Sequence, residues 1–118
     1  MTDEELKYLR ALKPEIDKRM GPLFPGDYYY VDGEGIILNM QEHAAAPEEI
    51  MIPHPMPMPG VPIERTLWGM VDWRFYYLDD EGDNWSIRIT GDDFVTIGRP
   101  YLALLKVLAY QWKIEVKG

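Results

Sequence analysis

The sequence predicts a single α+β domain over residues 1–118: a mostly antiparallel sheet of four to six strands, an N-terminal helix and a C-terminal helix packed on the sheet. Apolar residues recur at three- and four-residue steps near both ends of the chain, which is typical of helices. In the middle they alternate with polar residues, which is typical of strands. A length of 118 residues and a hydrophobic content of 47% suit one folded domain.

The N-terminal helix is predicted to begin with a capping box, because Thr2 is followed three residues later by Glu5. An apolar stripe then follows at helical spacing, made of Leu6, Leu9, Leu12, Ile16 and Met20. Pro14 interrupts this stripe, and proline lacks a backbone donor and clashes with the preceding turn. We therefore expect either one helix kinked at Pro14 or a pair of helices, the second beginning there.

A first β-hairpin is predicted where DYYYV and EGIILNM flank Asp32 and Gly33, the dipeptide preferred in two-residue type I′ turns. Its first strand contains Tyr28, Tyr29 and Tyr30. Side chains alternate between the two faces of a strand, so at least one of these tyrosines is expected to be exposed. Exposed tyrosine is common at binding surfaces.

A second hairpin is predicted on either side of the turn DDEGDN. The alternating apolar sets are Trp73, Phe75 and Tyr77 in the first strand and Trp85, Ile87 and Ile89 in the second. We expect the two sets to share one face as cross-strand pairs. Phe94, Val95 and Ile97 indicate a short further strand.

The C-terminal helix is predicted to open with Pro100, which suits the first turn of a helix. Its apolar stripe is wide and consists of Tyr101, Leu102, Leu104, Leu105, Val107, Leu108 and Trp112. A helix this apolar is mostly buried, so we expect it to lie across one face of the sheet.

Residues 50–62, IMIPHPMPMPGVP, carry proline at every second position from Pro53 to Pro59. In an extended strand these prolines would all face one side, which would have no donors, so the segment could pair along one edge only. We expect an ordered edge strand or a strap packed on the fold, in which Met56 and Met58 fill gaps. A flexible loop and a docking peptide remain alternatives, and the proline spacing differs from the i, i+3 repeat typical of docking peptides.

The charge is unevenly distributed along this acidic chain of net charge −8. Residues 21–98 hold 14 acids and three bases, whereas residues 99–118 hold one acid and four bases. Such a field disfavours nucleic acids and anionic membranes and favours a basic protein partner. The charged N-terminus has no signal-peptide core, and no apolar run approaches the ~18 residues of a membrane span, so we expect a cytoplasmic protein.

No catalytic, metal or cofactor site is predicted. The chain has no cysteine, and its two histidines, His43 and His54, lack the spacing of a metal motif. Ser86, the only serine, falls in a predicted strand without a nucleophile elbow. Residues 79–83 match the first ligands of a calcium loop, but Asn84 and Thr90 replace the glycine and glutamate that such a loop requires.

Three stretches carry a resemblance: PEIDKRMGPLFPGD (residues 14–27), ERTLWGMVDW (residues 64–73) and RPYLALLKVLAYQW (residues 99–112). They resemble a group of small proteins encoded by phages and prophages of Gram-positive bacteria, and the similarity runs along most of the chain. The group provides no catalytic or binding residue to transfer. The resemblance therefore implies only a context, namely an accessory protein of a mobile element acting in the host cytoplasm.

These observations favour a non-enzymatic protein that binds another protein. The candidate partner-binding residues are Tyr28, Tyr29, Tyr30, Glu42, Glu48, Glu49, Met56, Met58, Asp79, Asp80, Glu81 and Asp83. One hypothesis is an acidic inhibitor of a basic protein that imitates nucleic acid. The alternative is a structural or assembly protein that forms a homo-oligomer through its tyrosine and proline-edge surfaces.

Overall fold

Helices lie towards both ends of the chain, with strands between them. The computed structural model describes residues 2–20, 28–31, 34–37, 50–89 and 95–116. Its helices are α1 (Asp3–Met20), α2 (Leu67–Met70) and α3 (Pro100–Gln111), with a 3-10 turn (Ile63–Arg65) just before α2. Its strands are β1 (Tyr28–Val31), β2 (Glu34–Ile37), β3 (Ile50–Ile52), β4 (Tyr76–Glu81), β5 (Asn84–Ile89) and β6 (Val95–Gly98).

The strands form two antiparallel sheets of three strands each, in the orders β2-β1-β3 and β4-β5-β6. The α+β class, the antiparallel pairing and the helices near both ends are confirmed. A single sheet of four to six strands goes beyond what the described residues show. One physical reason is that β3 leads directly into the prolines, which have no N–H to extend its ladder.

The capping box at the start of α1 is confirmed. The Glu5 backbone N–H donates to Thr2 Oγ1 at 3.1 Å, and the Thr2 N–H donates to Glu5 Oε1 at 3.2 Å. The helix continues through Pro14 without interruption, so one helix forms rather than a pair. Its apolar stripe is buried at Leu9, Leu12, Ile16 and Met20.

The register of the second hairpin differs from the predicted one. The pairs across β4 and β5 are Tyr76 with Ile89, Tyr77 with Arg88, Leu78 with Ile87 and Asp79 with Ser86. Tyr76 and Leu78 therefore share a face with the isoleucines, and the predicted pairing of Phe75 and Tyr77 with them is wrong. Phe75 is 56% exposed and Tyr77 is 46% exposed.

The turn explains this register. Glu81 pairs with Asn84, so only Gly82 and Asp83 lie between the strands. Gly82 has a φ of +80°, the conformation that type II′ turns require at their first central residue. Because a two-residue turn fixes which residues face each other, it also fixes which side chains point towards the core.

The core forms where α3 packs against α1, β5 and β6. Its fully buried side chains include Leu9, Leu12 and Ile16 of α1, Leu67 of α2, Ile87 of β5, and Leu104, Leu105, Val107 and Leu108 of α3. Trp85 is also buried, whereas Trp68, Trp73 and Trp112 are partly buried against this core. We call the side of the β4-β5-β6 sheet that faces α3 the inner face and the opposite side the outer face.

Candidate functional site

Residues 53–62, which we call the proline strap, run past the beginning of α2 instead of forming a long edge strand. The Leu67 N–H donates to the His54 carbonyl at 2.8 Å, and the Trp68 N–H donates to the Pro55 carbonyl at 3.0 Å. The first N–H groups of a helix have no acceptor inside the helix. The strap provides those acceptors with its carbonyls, which proline retains although it has no N–H.

The other side of the strap is held by α3. The Tyr101 hydroxyl donates to the Pro53 carbonyl at 3.1 Å, and both Pro53 and His54 are buried. Burial, aided by the nearby Glu5 carboxylate, raises the pKa of Tyr101 well above its ordinary value. This tyrosine therefore stays a neutral donor at physiological pH.

The sequence suggested that the strap methionines fill gaps in the core, but they do not. Met56 is 38% exposed and Met58 is 40% exposed, because the strap turns outward over residues 58–61. The Val61 N–H donates to the Met58 carbonyl at 3.1 Å, and Gly60 has a positive φ of 83°. Both methionines are thus available to a partner.

The acidic turn of the second hairpin is exposed. Asp79, Asp80 and Asp83 all lie at the surface. Asp80 Oδ1 accepts the Gly82 N–H at 3.0 Å, and Asp79 Oδ2 lies 3.9 Å from Arg88 Nε. We call residues 79–83 the acidic tip. In the described part of the chain, no group of three His, Cys, Asp or Glu side chains could hold a metal ion.

The outer face carries a second group of exposed residues, although the sequence predicted that Tyr77 shares a face with Ile87 and Ile89. Tyr77 of β4 is exposed, as is Phe75 just before β4, and Ile97 of β6, on the other side of β5, is 62% exposed. Register places Tyr77, Asp79, Ser86, Arg88 and Ile97 on this face. A signal for it was present in the sequence, since glycine at Gly82 is typical of a two-residue type II′ turn.

A salt bridge borders the outer face next to Phe75. Arg74 donates through Nε and Nη2 to the two carboxylate oxygens of Asp72, each at 2.8 Å. This hydrogen bonding lowers the pKa of Asp72. The Arg74 guanidinium also lies 5.5 Å from the centre of the Phe75 ring. The aromatic ring is thus exposed but held beside a neutralised charge pair.

A shallow groove lies on the other side of β6, beside the second half of α3. Its volume is about 350 Å³, and its lining includes Tyr8, Thr96, Lys106, Tyr110 and Ile114. Lys106 Nζ lies 3.5 Å from Glu4 Oε1. Sequence reasoning missed this groove because it depends on how α1, β6 and the residues after α3 come together.

The predicted site residues do not all come together. Asp79 and Asp80 lie on β4 and point to opposite faces of the sheet, and Asp83 lies in the turn, so these acids share only the end of the hairpin. Met56 and Met58 lie on the strap. Tyr28–Tyr30 form most of β1, the central strand of the first sheet, but their side chains lie outside the described structure. Glu42, Glu48 and Glu49 also lie outside the described residues.

Within the described ranges, none of the helices combines the length and the hydrophobicity needed to cross a membrane. No protein-family model, curated protein or solved structure matches the chain.

Proposed function

We propose that this protein is a non-enzymatic accessory protein that binds another protein and meets a basic partner through its acidic tip. The observation that carries this proposal is the exposure of Asp79, Asp80 and Asp83 at the turn end of one hairpin, the first two on β4 and the third in the turn. Glu81 lies in the same stretch, so four of the five residues from 79 to 83 are acidic.

The acidic tip keeps most of its negative charge, because Arg88 lies near only one of its described acidic side chains, that of Asp79. Arg88 lies 3.9 Å from Asp79, and both side chains are about half exposed, 49% and 53% respectively. A pair of this kind contributes little, because water and salt screen it. The tip therefore remains able to attract a basic surface and to accelerate the encounter with it.

A sharper form of this proposal is an inhibitor that imitates the charge of nucleic acid. Carboxylates on a projecting turn offer a basic protein the kind of anionic groups that it otherwise finds on phosphates. The same charges repel nucleic acid, so no direct binding to DNA or RNA is expected. The resemblance to phage and prophage proteins supports a place of action in the cytoplasm of a Gram-positive host.

The test is capture from a Gram-positive host lysate on the tagged protein, followed by elution with increasing salt and mass spectrometry. The tip variant is Asp79→Asn, Asp80→Asn and Asp83→Asn. The matched control is Asp3→Asn, Glu64→Gln and Glu115→Gln, three exposed acids on other elements with the same total change in charge.

We expect a basic protein that salt releases, that the control variant still captures and that the tip variant captures about tenfold more weakly. Equal loss in the two variants would mean that total charge, not the tip, governs binding. Capture that is insensitive to salt would rule out the mimicry of nucleic acid.

A second candidate function is supported by the outer face. Exposed aromatic side chains next to charged groups are typical of protein interfaces, and Phe75 and Tyr77 have that setting. This observation favours a structural or assembly protein that associates with itself.

A further inference from the structure

We propose that the outer face of the β4-β5-β6 sheet is a homodimer interface that binds the same face of a second copy of this chain. The inference rests on the second candidate function above and names its partner, surface and symmetry. It does not depend on the acidic tip binding a basic protein.

The first argument is the position of the exposed apolar side chains. Phe75, Tyr77 and Ile97 are all among the large hydrophobic residues that remain exposed. α3 packs on the inner face, so register places Tyr77 and Ile97 on the side of the sheet away from the core, and Phe75 lies in the turn just before β4. Such a group, bordered by polar residues, is typical of an interaction site.

The second argument is charge, which selects the partner. Two copies of a chain with net charge −8 repel each other unless the surfaces that meet are locally neutral. Among the side chains described on this face and at its border, two acids are matched by two bases: Asp72 lies 2.8 Å from Arg74, and Asp79 lies 3.9 Å from Arg88. A basic partner gains little here, whereas a second acidic copy is not repelled.

The third argument is that the face complements itself. In a two-fold interface every contact occurs twice. If residue i of one copy contacts residue j of the other, residue j of the first copy also contacts residue i of the second. Asp79 on β4 and Arg88 on β5 are diagonal neighbours on this face, because Arg88 pairs with Tyr77, two residues before Asp79. When a second sheet lies on this face with its strands reversed, Asp79 of each copy comes within reach of Arg88 of the other.

Reversed strands also separate the acidic tips. β4 is six residues long, which corresponds to about 20 Å of strand. With the two-fold axis perpendicular to the strands, the tip of one copy lies at the opposite end of the interface from the tip of the other. That separation exceeds the Debye length of about 8 Å at physiological salt, so repulsion between the tips is screened.

The first experiment is light scattering coupled to size-exclusion chromatography over a range of protein concentrations. We expect the mass of the unmodified protein to rise towards that of a dimer. Tyr77→Lys is expected to weaken this association about tenfold or more, since charge at the centre of an interface is costly. Ile63→Lys is the matched control, because Ile63 lies on the 3-10 turn before α2 and is 54% exposed against 46% for Tyr77.

A monomer at every concentration would overturn the inference, and so would equal weakening by Tyr77→Lys and Ile63→Lys. Tyr77→Lys leaves the acidic tip intact, so it should still capture a basic partner in the lysate experiment. The two proposals therefore fail separately.

A charge exchange gives an independent test. A dimer would contain two contacts between position 79 of one copy and position 88 of the other. In the Arg88→Asp variant these contacts would bring together four acids and no base, and in the Asp79→Arg variant four bases and no acid. We expect each variant alone to remain monomeric and an equal mixture of the two to form a heterodimer, in which every such contact again joins an acid to a base. Circular dichroism checks that both are folded. Two variants that dimerise alone, or a folded mixture that does not associate, would contradict the proposed interface.

Discussion

The inner and outer faces of the β4-β5-β6 sheet contain similar residues in opposite environments. On the inner face Ile87 is fully buried and Tyr76 is 9% exposed, whereas on the outer face Ile97 is 62% exposed. Tyr76 and Tyr77 are neighbours in sequence, yet the first packs on the core and the second meets solvent. Residue type does not distinguish the two faces, because strand register decides which side each residue occupies.

This difference shows that one turn determines both which side chains face the core and which face away from it. The two-residue turn at Gly82 and Asp83 sets the pairing of β4 with β5 and so directs one set of side chains into the core. Of the other set, Tyr77, Asp79 and Arg88 remain exposed and available for binding, whereas Ser86 is buried. Stability is therefore expected to depend on the inner face and association on the outer face.

The largest expected effect is on stability, in a comparison of two isoleucines that lie on opposite faces of the sheet. Ile87→Ala is expected to lower the free energy of unfolding by about 2–5 kcal/mol, because it leaves a cavity in the core. Ile97→Ala, at an exposed position, is expected to change it by no more than about 0.5 kcal/mol. Chemical denaturation of the two variants measures both values, and equal losses would contradict the assignment of the faces.

A second large effect is expected at α2, which supports the inner face through Trp68. The Trp68 and Trp85 rings meet edge to face with centres 6.1 Å apart. A Cβ at Gly69 would lie 1.9 Å from the Ile63 carbonyl oxygen, so Gly69→Ala must displace backbone. We expect a loss of about 3 kcal/mol, measured by thermal or chemical denaturation. An unchanged stability would mean that the 3-10 turn and α2 are not packed as described.

A smaller effect is expected at the turn itself. Gly82 has positive φ and open space around its Cα, so Gly82→Ala costs backbone strain of about 1 kcal/mol without a clash. Gly60→Ala is the control, since Gly60 has a similar φ of 83° in open space but lies in the strap. Both variants should lose similar stability in denaturation, but only Gly82→Ala should disturb the amide NMR signals of β4 and β5. Disturbance by both would contradict a local role for the turn.

An alkaline loss of stability is expected from Tyr76 on the inner face. Burial is the main cause that raises the pKa of Tyr76. The folded state then holds the phenolic proton more tightly than the unfolded state does, which adds to the free energy of unfolding. This contribution to stability is fully present below the unfolded pKa of about 10 and is lost as the pH rises through the folded pKa. Tyr76→Phe should reduce the fall in stability above about pH 10, as measured by denaturation at several pH values. An unchanged slope would contradict the burial of this hydroxyl.

The smallest expected effect is an increase in stability. Thr96 on the inner face is 3% exposed, and its Oγ1 has no hydrogen-bond partner among the described residues. Thr96→Val keeps the shape and removes an unsatisfied hydroxyl, so we expect stability to rise by up to about 1 kcal/mol in chemical denaturation. A loss of similar size would show that the hydroxyl is satisfied in solution.

Features that depend on short-range chemistry were predictable from the sequence. The capping box of Thr2 and Glu5, the proline that opens α3 and the existence of the second hairpin are all confirmed. Each follows from residues a few positions apart, whose backbone preferences favour the same structure.

Features that depend on distant contacts were not predictable. α2 is only four residues long and receives acceptors from the strap, 13 residues earlier in the chain for each bond. The outward turn of Met56 and Met58 likewise follows from where the strap crosses α2. The exposure of Asp79, Asp80 and Asp83 was expected, but the turn is two residues long rather than the six of DDEGDN. The outer face was missed because the sequence paired the wrong alternating set of β4 with Ile87 and Ile89.

The most direct test of this account is the pattern of cross-strand nuclear Overhauser effects in the second hairpin. The described register predicts effects between the backbones of Tyr76 and Ile89 and of Leu78 and Ile87. Those contacts would establish that Tyr77 lies on the outer face. Effects that instead pair Tyr77 with Ile87 would place the aromatic residues inside and contradict both the assignment of the faces and the proposed dimer interface.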